Sequence, residues 1–292
     1  MPAAKCSRRF IVVTGLSGAG KTVALNALED LEFYCIDNLP AGMLEQFFAR
    51  IALGVDGLPD AVAVGIDARN PEPALAGVPA QLGQLRGGGI PAEVVFLDAG
   101  DDVLVRRFSE TRRRHPLSAE QTMLPDAIRK ERRLLGPLSE IADLRIDTSL
   151  CTVHELRKLV HERVALRPAA VLSLQFISFG YKFGVPLDAD FVFDVRCLPN
   201  PHWEPGLRNL TGKDPAVAEF LQREPEVRAM LQDQCGFLDR WIPRFEAEQR
   251  SYLSVALGCT GGQHRSVYMA QWLAGHIQAG NRRVVVRHRD LE

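Results

Sequence analysis

Gly15-Leu16-Ser17-Gly18-Ala19-Gly20-Lys21-Thr22 fits the pattern G-x-x-x-x-G-K-[ST]. Glycines at this spacing let a loop wrap an anion with its N–H groups turned inward. A helix starting where the loop ends adds its positive N-terminal pole to the same anion. The lysine is placed for β- and γ-phosphates, and the hydroxyl after it for Mg²⁺. The predicted ligand is ATP or GTP with Mg²⁺, with Lys21 and Thr22 acting on the phosphates. Asp98 ends the apolar run Val94 to Leu97. That is the expected place for an acidic residue near the metal, so Asp98 joins Lys21 and Thr22 as a candidate catalytic and Mg²⁺-binding residue. Capping a helix that starts near Asp101 is the alternative. Arg106, Arg107, Arg112, Arg113 and Arg114 follow. They fit a phosphate clamp, a solvated helix face or a nucleic-acid patch. Asp37 and Asp67 also close apolar runs, as ligand contacts or as turn residues.

A second loop has comparable chemistry. Cys259-Thr260-Gly261-Gly262-Gln263-His264-Arg265-Ser266 matches C-x5-R-S, with an apolar run before it and a helical pattern after it. In phosphatase chemistry a thiolate in such a loop attacks phosphorus while the arginine and the loop amides hold the oxygens. A leaving group then needs a general acid. Only Asp194 or His202 offers itself, so phosphate binding without covalent catalysis is the preferred reading. A plain strand–helix turn with a structural cysteine is the other.

Loops of this kind must be carried by strands and helices. Phe10 to Thr14, Glu32 to Asp37, Ala61 to Asp67, Glu93 to Asp98 and Leu144 to Thr148 read as strands. Helical patterns fall at 23–31, 101–113, 119–135 and 152–165, and Gly87-Gly88-Gly89 reads as a loop. The alternation predicts an α/β fold with a mostly parallel sheet and ligands at the strands' carboxyl ends. The pattern pauses around Arg167-Pro168-Ala169-Ala170. This divides the chain into a nucleotide-binding domain, 1–167, and a second α/β domain, 170–292. In the latter, strands are predicted at 171–179, 190–195, 252–258 and 283–287. Helices are predicted at 214–232, 236–250 and 265–279.

Composition narrows the class. The 292 residues carry a net charge of −1 and 46% hydrophobic residues, an ordinary globular balance that excludes a globally basic nucleic-acid binder. No run of about 18 apolar residues predicts a membrane span, and the N-terminus lacks the features of a signal peptide. The six cysteines are scattered without a C-x-x-C pair, the pattern of reduced thiols. A cytoplasmic location is expected.

Three longer segments carry a resemblance: GLSGAGKTVALNALEDLEFYCIDNLP, FGYKFGVPLDADFVFDVRCLPNPHW and GCTGGQHRSVYMAQ. With them the chain, from residue 10 to about 290, resembles the RapZ family of bacterial nucleotide-binding proteins. The resemblance implies a P-loop kinase-like N-terminal half with weak ATPase and GTPase activity. It implies GTP contacts at Asp67, Ala68, Arg69 and Asn70. It also implies an amino-sugar phosphate site at His202, Cys259, Thr260, Gly261, Gly262 and Arg265. Partners implied are a small regulatory RNA, an endoribonuclease and further copies of the chain. The tail departs from the family pattern: it reads Arg287-His288-Arg289-Asp290-Leu291-Glu292, without a lysine-rich extension. Fewer phosphate contacts weaken RNA affinity and make it more salt-sensitive. A nucleotide-binding protein regulated through the second loop is the leading expectation. An RNA-binding adapter and a small-molecule kinase are the alternatives.

Overall fold

The computed structural model describes residues 9–52, 60–89, 91–111, 113–118, 122–165, 172–248, 250–278 and 282–291. The chain forms two compact units, Met1–Ala169 and Ala170–Glu292.

Among the described residues of the first unit are five strands: β1 (Arg9–Gly15), β2 (Tyr34–Ile36), β3 (Ala61–Gly65), β4 (Ala92–Asp98) and β5 (Leu144–Asp147). All pair in parallel, in the order β2-β3-β1-β4-β5. From Phe10 onward every residue of β1 is buried, which explains its continuous apolar run: a central parallel strand is covered on both faces. The chain runs outward from β1 to β2, returns to β3, then crosses to β4 on the other side. That reversal creates a crevice at the carboxyl end of β1, where ligands bind in open α/β sheets. The predicted phosphate loop leaves β1 at this point.

Helix α1 (Lys21–Glu29) follows the loop. Next come α2 (Leu44–Ala52), α3 (Glu72–Gly87), α4 (Asp101–Thr111), α5 (Leu124–Leu134), α6 (Gly136–Glu140) and α7 (Val153–Val160). Helix α3 contains Gly77, Pro79 and Gly83, residues that blur a helical pattern. It forms because Leu75, Val78, Leu82 and Leu85 lie on one stripe and are buried. Gly87, read from sequence as loop, is its last residue. The helix expected over 119–135 begins at Leu124, with Pro125 in its first turn, and 119–121 lie outside the described residues. α7 starts on a capping box between Thr152 and Glu155.

The second unit pairs four parallel strands in the order β7-β8-β6-β9: β6 (Ser173–Gly180), β7 (Phe191–Asp194), β8 (Tyr252–Cys259) and β9 (Arg283–His288). Its helices are α8 (Pro215–Arg223), α9 (Pro225–Ala247) and α10 (Arg265–Ile277). The helix break expected near 233–235 lies instead at Glu224. Its extended backbone (φ −75°, ψ 123°) is what Pro225 requires of the residue before it. α9 then runs through Gly236 and Pro243, with Val227, Leu231, Cys235, Leu238 and Ile242 buried along one side.

Candidate functional site

The first loop is shaped by its backbone. Gly15 has φ +136°, and a Cβ there would lie 2.1 Å from the Leu97 carbonyl oxygen on β4, so no other residue fits. Gly18 and Gly20 also have positive φ, +87° and +103°. Gly20 is the N-cap of α1 and supplies no side-chain cap. The first N–H groups of the helix are thus left for an outside anion. Lys21 lies partly buried at that end and donates to the Gly15 carbonyl at 2.7 Å. Burial pushes its pKa down, opposed by the negative charges of Glu131, Asp67 and Asp37.

These residues border a cavity of about 570 Å³. Ser17 to Thr22 form one side, and Asp37, Asp67 and Arg69 lie on the lining as well. Arg107, Arg113 and Arg114 also reach it. Within 67–70 the roles divide. The Asp67 carboxylate accepts the Arg69 backbone N–H at 2.9 Å and its guanidinium at 2.5 Å. Burial opposes ionisation of Asp67, but the Arg69 hydrogen bonds outweigh it and hold the carboxyl below its ordinary range. Arg69 itself is half exposed. Ala68 and Asn70 are buried, and Asn70 braces the turn by accepting the Ala41 N–H at 2.7 Å.

Of the arginine cluster, Arg107 donates to the carbonyls of Gly18 (3.0 Å) and Thr148 (2.5 Å), tying the loop to the end of β5. Burial lowers its pKa. Arg106 is exposed, and Arg112 lies outside the described residues.

Asp98 is not brought to this cavity. Its carboxylate accepts Arg132 from α5 at 2.9 Å and the Ala99 N–H at 2.8 Å, and Asp37 and Asp67 are the carboxylates on the lining. In this arrangement the acceptor capacity of Asp98 serves α5.

Sequence reasoning missed Glu131 and His115. Glu131 is fully buried and accepts the Ser17 N–H at 2.9 Å and the Ser17 hydroxyl at 2.6 Å. His115 Nε2 lies 3.0 Å from the same carboxylate. Burial works against the charge on Glu131, but the bonds from His115 and Ser17, with the Lys21 charge, hold it below the ordinary carboxylate range.

The second loop is built differently. Cys259, at the end of β8, is buried; its sulfur accepts the Gly262 N–H at 3.2 Å and sits 3.1 Å from the Ser266 hydroxyl. Arg265 is also buried, and it donates to the carbonyls of Arg196 and Leu198 at 2.8 and 2.9 Å. Burial lowers its pKa, opposed by Cys259, Cys197 and Asp194. Thr260 is exposed, while Gly261 and Gly262 pack against β6. A Cβ on Gly180 would come 2.6 Å from the Gly261 carbonyl carbon, so the loop and β6 approach backbone to backbone. His202 stands beside the loop, its ring 6.2 Å from that of His264. Asp194 is bound by Arg196, bidentate at 2.7 and 3.0 Å.

Near the C-terminus, Arg282 pairs with Glu246 at 2.7 Å and Arg289 with Asp290 at 2.9 Å. Asp290 also accepts the Gly180 N–H at 2.6 Å. Asp290, an acidic residue of the tail, is thus built into the fold. Among the described residues, no helix is long and apolar enough to cross a membrane.

A glycine-lined strand–loop–helix at the central switch point of a parallel sheet defines an α/β protein of the P-loop type, followed by a second parallel α/β unit. Residues 9–167 match the RapZ-like N-terminal domain and residues 172–292 the RapZ C-terminal domain. The chain belongs to the RapZ family. It is 53% identical over 284 residues to a nucleotide-binding protein of Halorhodospira halophila, covering 97% of this chain and 98% of that one. Over 283 residues it is 50% identical to a nucleotide-binding protein of Methylococcus capsulatus, covering 97% and 96%.

Proposed function

We propose that the first unit binds a nucleoside triphosphate, ATP or GTP, with Mg²⁺ and hydrolyses it slowly, and that a phosphorylated amino sugar on the second loop regulates it. The carrying observation is the uncapped N-terminus of α1 behind Gly15, Gly18 and Gly20, opening on a cavity with Lys21 and four arginines. Uncapped amides with basic side chains fit a triphosphate. Relatives near 50% identity bear the name nucleotide-binding protein, which supports the same reading. The donor set also fits Mg²⁺, which is ordinarily held by one or two carboxylates together with phosphates: Thr22 is exposed and lies on the lining with Asp37. Mg²⁺ would neutralise phosphate charge there. Lys21 holds the terminal phosphates, the loop amides cradle oxygens, and Arg69, Arg107, Arg113 and Arg114 supply positive charge. Hydrolysis then comes from positioning and charge stabilisation.

For the second unit, the Thr260-Gly261 turn offers amides and a hydroxyl to a phosphate, with His202 beside them. The buried thiol and the committed guanidinium of Arg265 favour binding over covalent chemistry. The RNA-adapter reading draws less support, because Arg282 and Arg289 are taken by Glu246 and Asp290. A kinase reading would need an acceptor, and the exposed Arg113 and Arg114 on the lining are suited to hold an anionic one.

The test is titration of ATP and of GTP, with and without Mg²⁺, into the full-length protein and its Asp37→Asn and Asp98→Asn variants. Saturable binding whose Mg²⁺ requirement rises in D37N and stays unchanged in D98N is expected. No binding of either nucleotide overturns the reading.

A further inference from the structure

We infer that Glu131 is a positioning residue that locks the phosphate loop and the arginine-bearing segment 113–116 into a single unit; the functional weight of this rests on the nucleotide reading above. The residues of that segment face two ways. Arg113, Arg114 and Pro116 lie on the cavity lining. His115, between them, turns away and is wholly buried against Glu131, whose side chain is equally inaccessible. Leu117 N–H donates to His115 Nδ1 at 3.1 Å. With Nδ1 an acceptor, the proton of the neutral ring resides on Nε2 and is donated to Glu131. One carboxylate thus accepts three hydrogen bonds: two from Ser17 in the loop and one from His115 in the arginine segment.

A second contact runs between the same two parts. Phe108 packs on His115 with ring centroids 5.1 Å apart, and its ring is 3.4 Å from where a Gly18 Cβ would lie. A buried carboxylate is costly, and well-packed apolar residues often replace buried ions without loss of stability. What Glu131 supplies is geometry. Ser17 is held from behind by backbone and hydroxyl together, so the loop keeps its shape before any anion arrives. Through His115, the same atom sets where Arg113 and Arg114 stand relative to that loop. Preorganised charge of this kind needs no rearrangement when phosphate charge develops.

Glutamine can reproduce the arrangement. Its oxygen, in the place of Oε2, accepts from Ser17 N–H and His115. Its amide donates to the Ser17 hydroxyl, which then serves as acceptor. Alanine reproduces none of it, and His115→Phe keeps the packing on Phe108 but cuts the arm to the arginines.

The test is hydrogen exchange on the full-length, nucleotide-free protein, with turnover measured alongside. In Glu131→Ala, amides of 16–19 and of 113–118 should exchange at least about tenfold faster, and H115F should loosen only 113–118. E131Q should restore slow exchange at both. In turnover, H115F should lower kcat about tenfold with KM changed less than about threefold, because the loop still binds while the arginines are misplaced. E131Q should recover most of the turnover that E131A loses. If E131A does not fold, as judged by circular dichroism, H115F and E131Q carry the test. Loosening of 16–19 alone in E131A, unchanged exchange at 113–118 in H115F, or an E131Q as loose as E131A overturns the coupling. Failure of the wild-type protein to bind ATP or GTP would instead strike the nucleotide reading, and the exchange data would still decide whether Glu131 joins the two segments.

Discussion

The two strand–loop–helix corners of this protein end their strands alike and use their charges in opposite ways. In the first, Gly15 to Thr22, the helix starts uncapped at Lys21, Thr22 is exposed, and Arg69, Arg113 and Arg114 reach an open cavity. In the second, Cys259 to Arg265, the thiol is buried under its own loop and the guanidinium is spent on the carbonyls of Arg196 and Leu198. Even Lys21, which touches the Gly15 carbonyl, has only one such contact to exchange for a phosphate. Arg265 would have to abandon two carbonyls, one of them buried. One corner is arranged to receive charge, and the other has used its charge to hold itself together.

The largest effect should follow from Lys21→Ala. If Lys21 acts on the phosphates, turnover in the full-length protein should fall by about 100-fold or more, the scale of losing one preorganised charge or donor. The melting temperature should stay level or rise, because a partly buried ammonium is removed. Unchanged hydrolysis would end the distinction between the two corners, since neither would then be a working phosphate site.

Arg265→Ala comes next and probes the other side of the comparison. Two charge-assisted hydrogen bonds vanish, and the buried Leu198 carbonyl loses its donor. A loss of about 3 kcal/mol in the stability of the second unit is expected in denaturant unfolding. Binding of glucosamine-6-phosphate, measured by calorimetry on protein that remains folded, should weaken because the 196–198 segment is released. Wild-type stability together with lost binding would show that Arg265 serves the ligand directly, and the second corner would then resemble the first.

How much of this was legible in the sequence follows from how local each feature is. Gly15 to Thr22 is contiguous, and its constraints lie within eight neighbouring positions, so pattern alone located it. Glu131 lies 114 positions from Ser17, and only the packing of α5 joins them. A glutamate in a helix rich in arginine and lysine looks like a solvated face. The choice among candidate metal carboxylates turns on topology. Apolar runs end at Asp37, Asp67 and Asp98 alike, and β1 pairs with both β3 and β4. Nothing in the sequence shows that Arg132 takes the β4 aspartate. In the second unit, the strands were legible because β6 and β8 are continuous buried runs. The helix break was misjudged: it was expected between 232 and 236, and the Glu224-Pro225 step places it about ten residues earlier.

Acid should act on the second corner more than on the first. His288 ends β9, where Ser178 Oγ lies 2.8 Å from Nδ1 and the Gln271 amide lies 2.9 Å from Nε2. The Gln271 amide is a donor, so Nε2 accepts and Nδ1 carries the proton toward Ser178. Burial, with Lys213 nearby, lowers the pKa of His288 from 6.5 to about 4. The unfolded chain therefore binds the proton first. The stabilisation is fully present above pH 6.5 and is lost as the pH falls toward 4. Two residues on, Asp290 braces Gly180 and accepts the Gln263 side-chain amide from the second loop. The stability difference between wild type and His288→Gln should shrink by about 2 kcal/mol between pH 7 and pH 4. A difference independent of pH would show that His288 titrates normally and that the brace is not acid-sensitive.

The smallest effect is expected from Cys259→Ser, and it bears on what kind of corner the second loop is. A nucleophilic thiolate must present its sulfur to phosphorus. Here the sulfur is buried, accepts the Gly262 N–H and lies against Ser266. Serine keeps an acceptor for the Gly262 N–H and can donate to Ser266, so the loop should retain its shape at a cost within about 1 kcal/mol. Amino-sugar phosphate affinity should change by less than about threefold, because the amides of the turn make the contact. The variant should also form no less product from a generic aryl phosphate than the wild type, since neither has a thiolate in line. Wild-type phosphatase activity abolished by C259S would put the sulfur at the reacting centre. The close packing at Gly262 would then be a resting arrangement that opens when substrate binds.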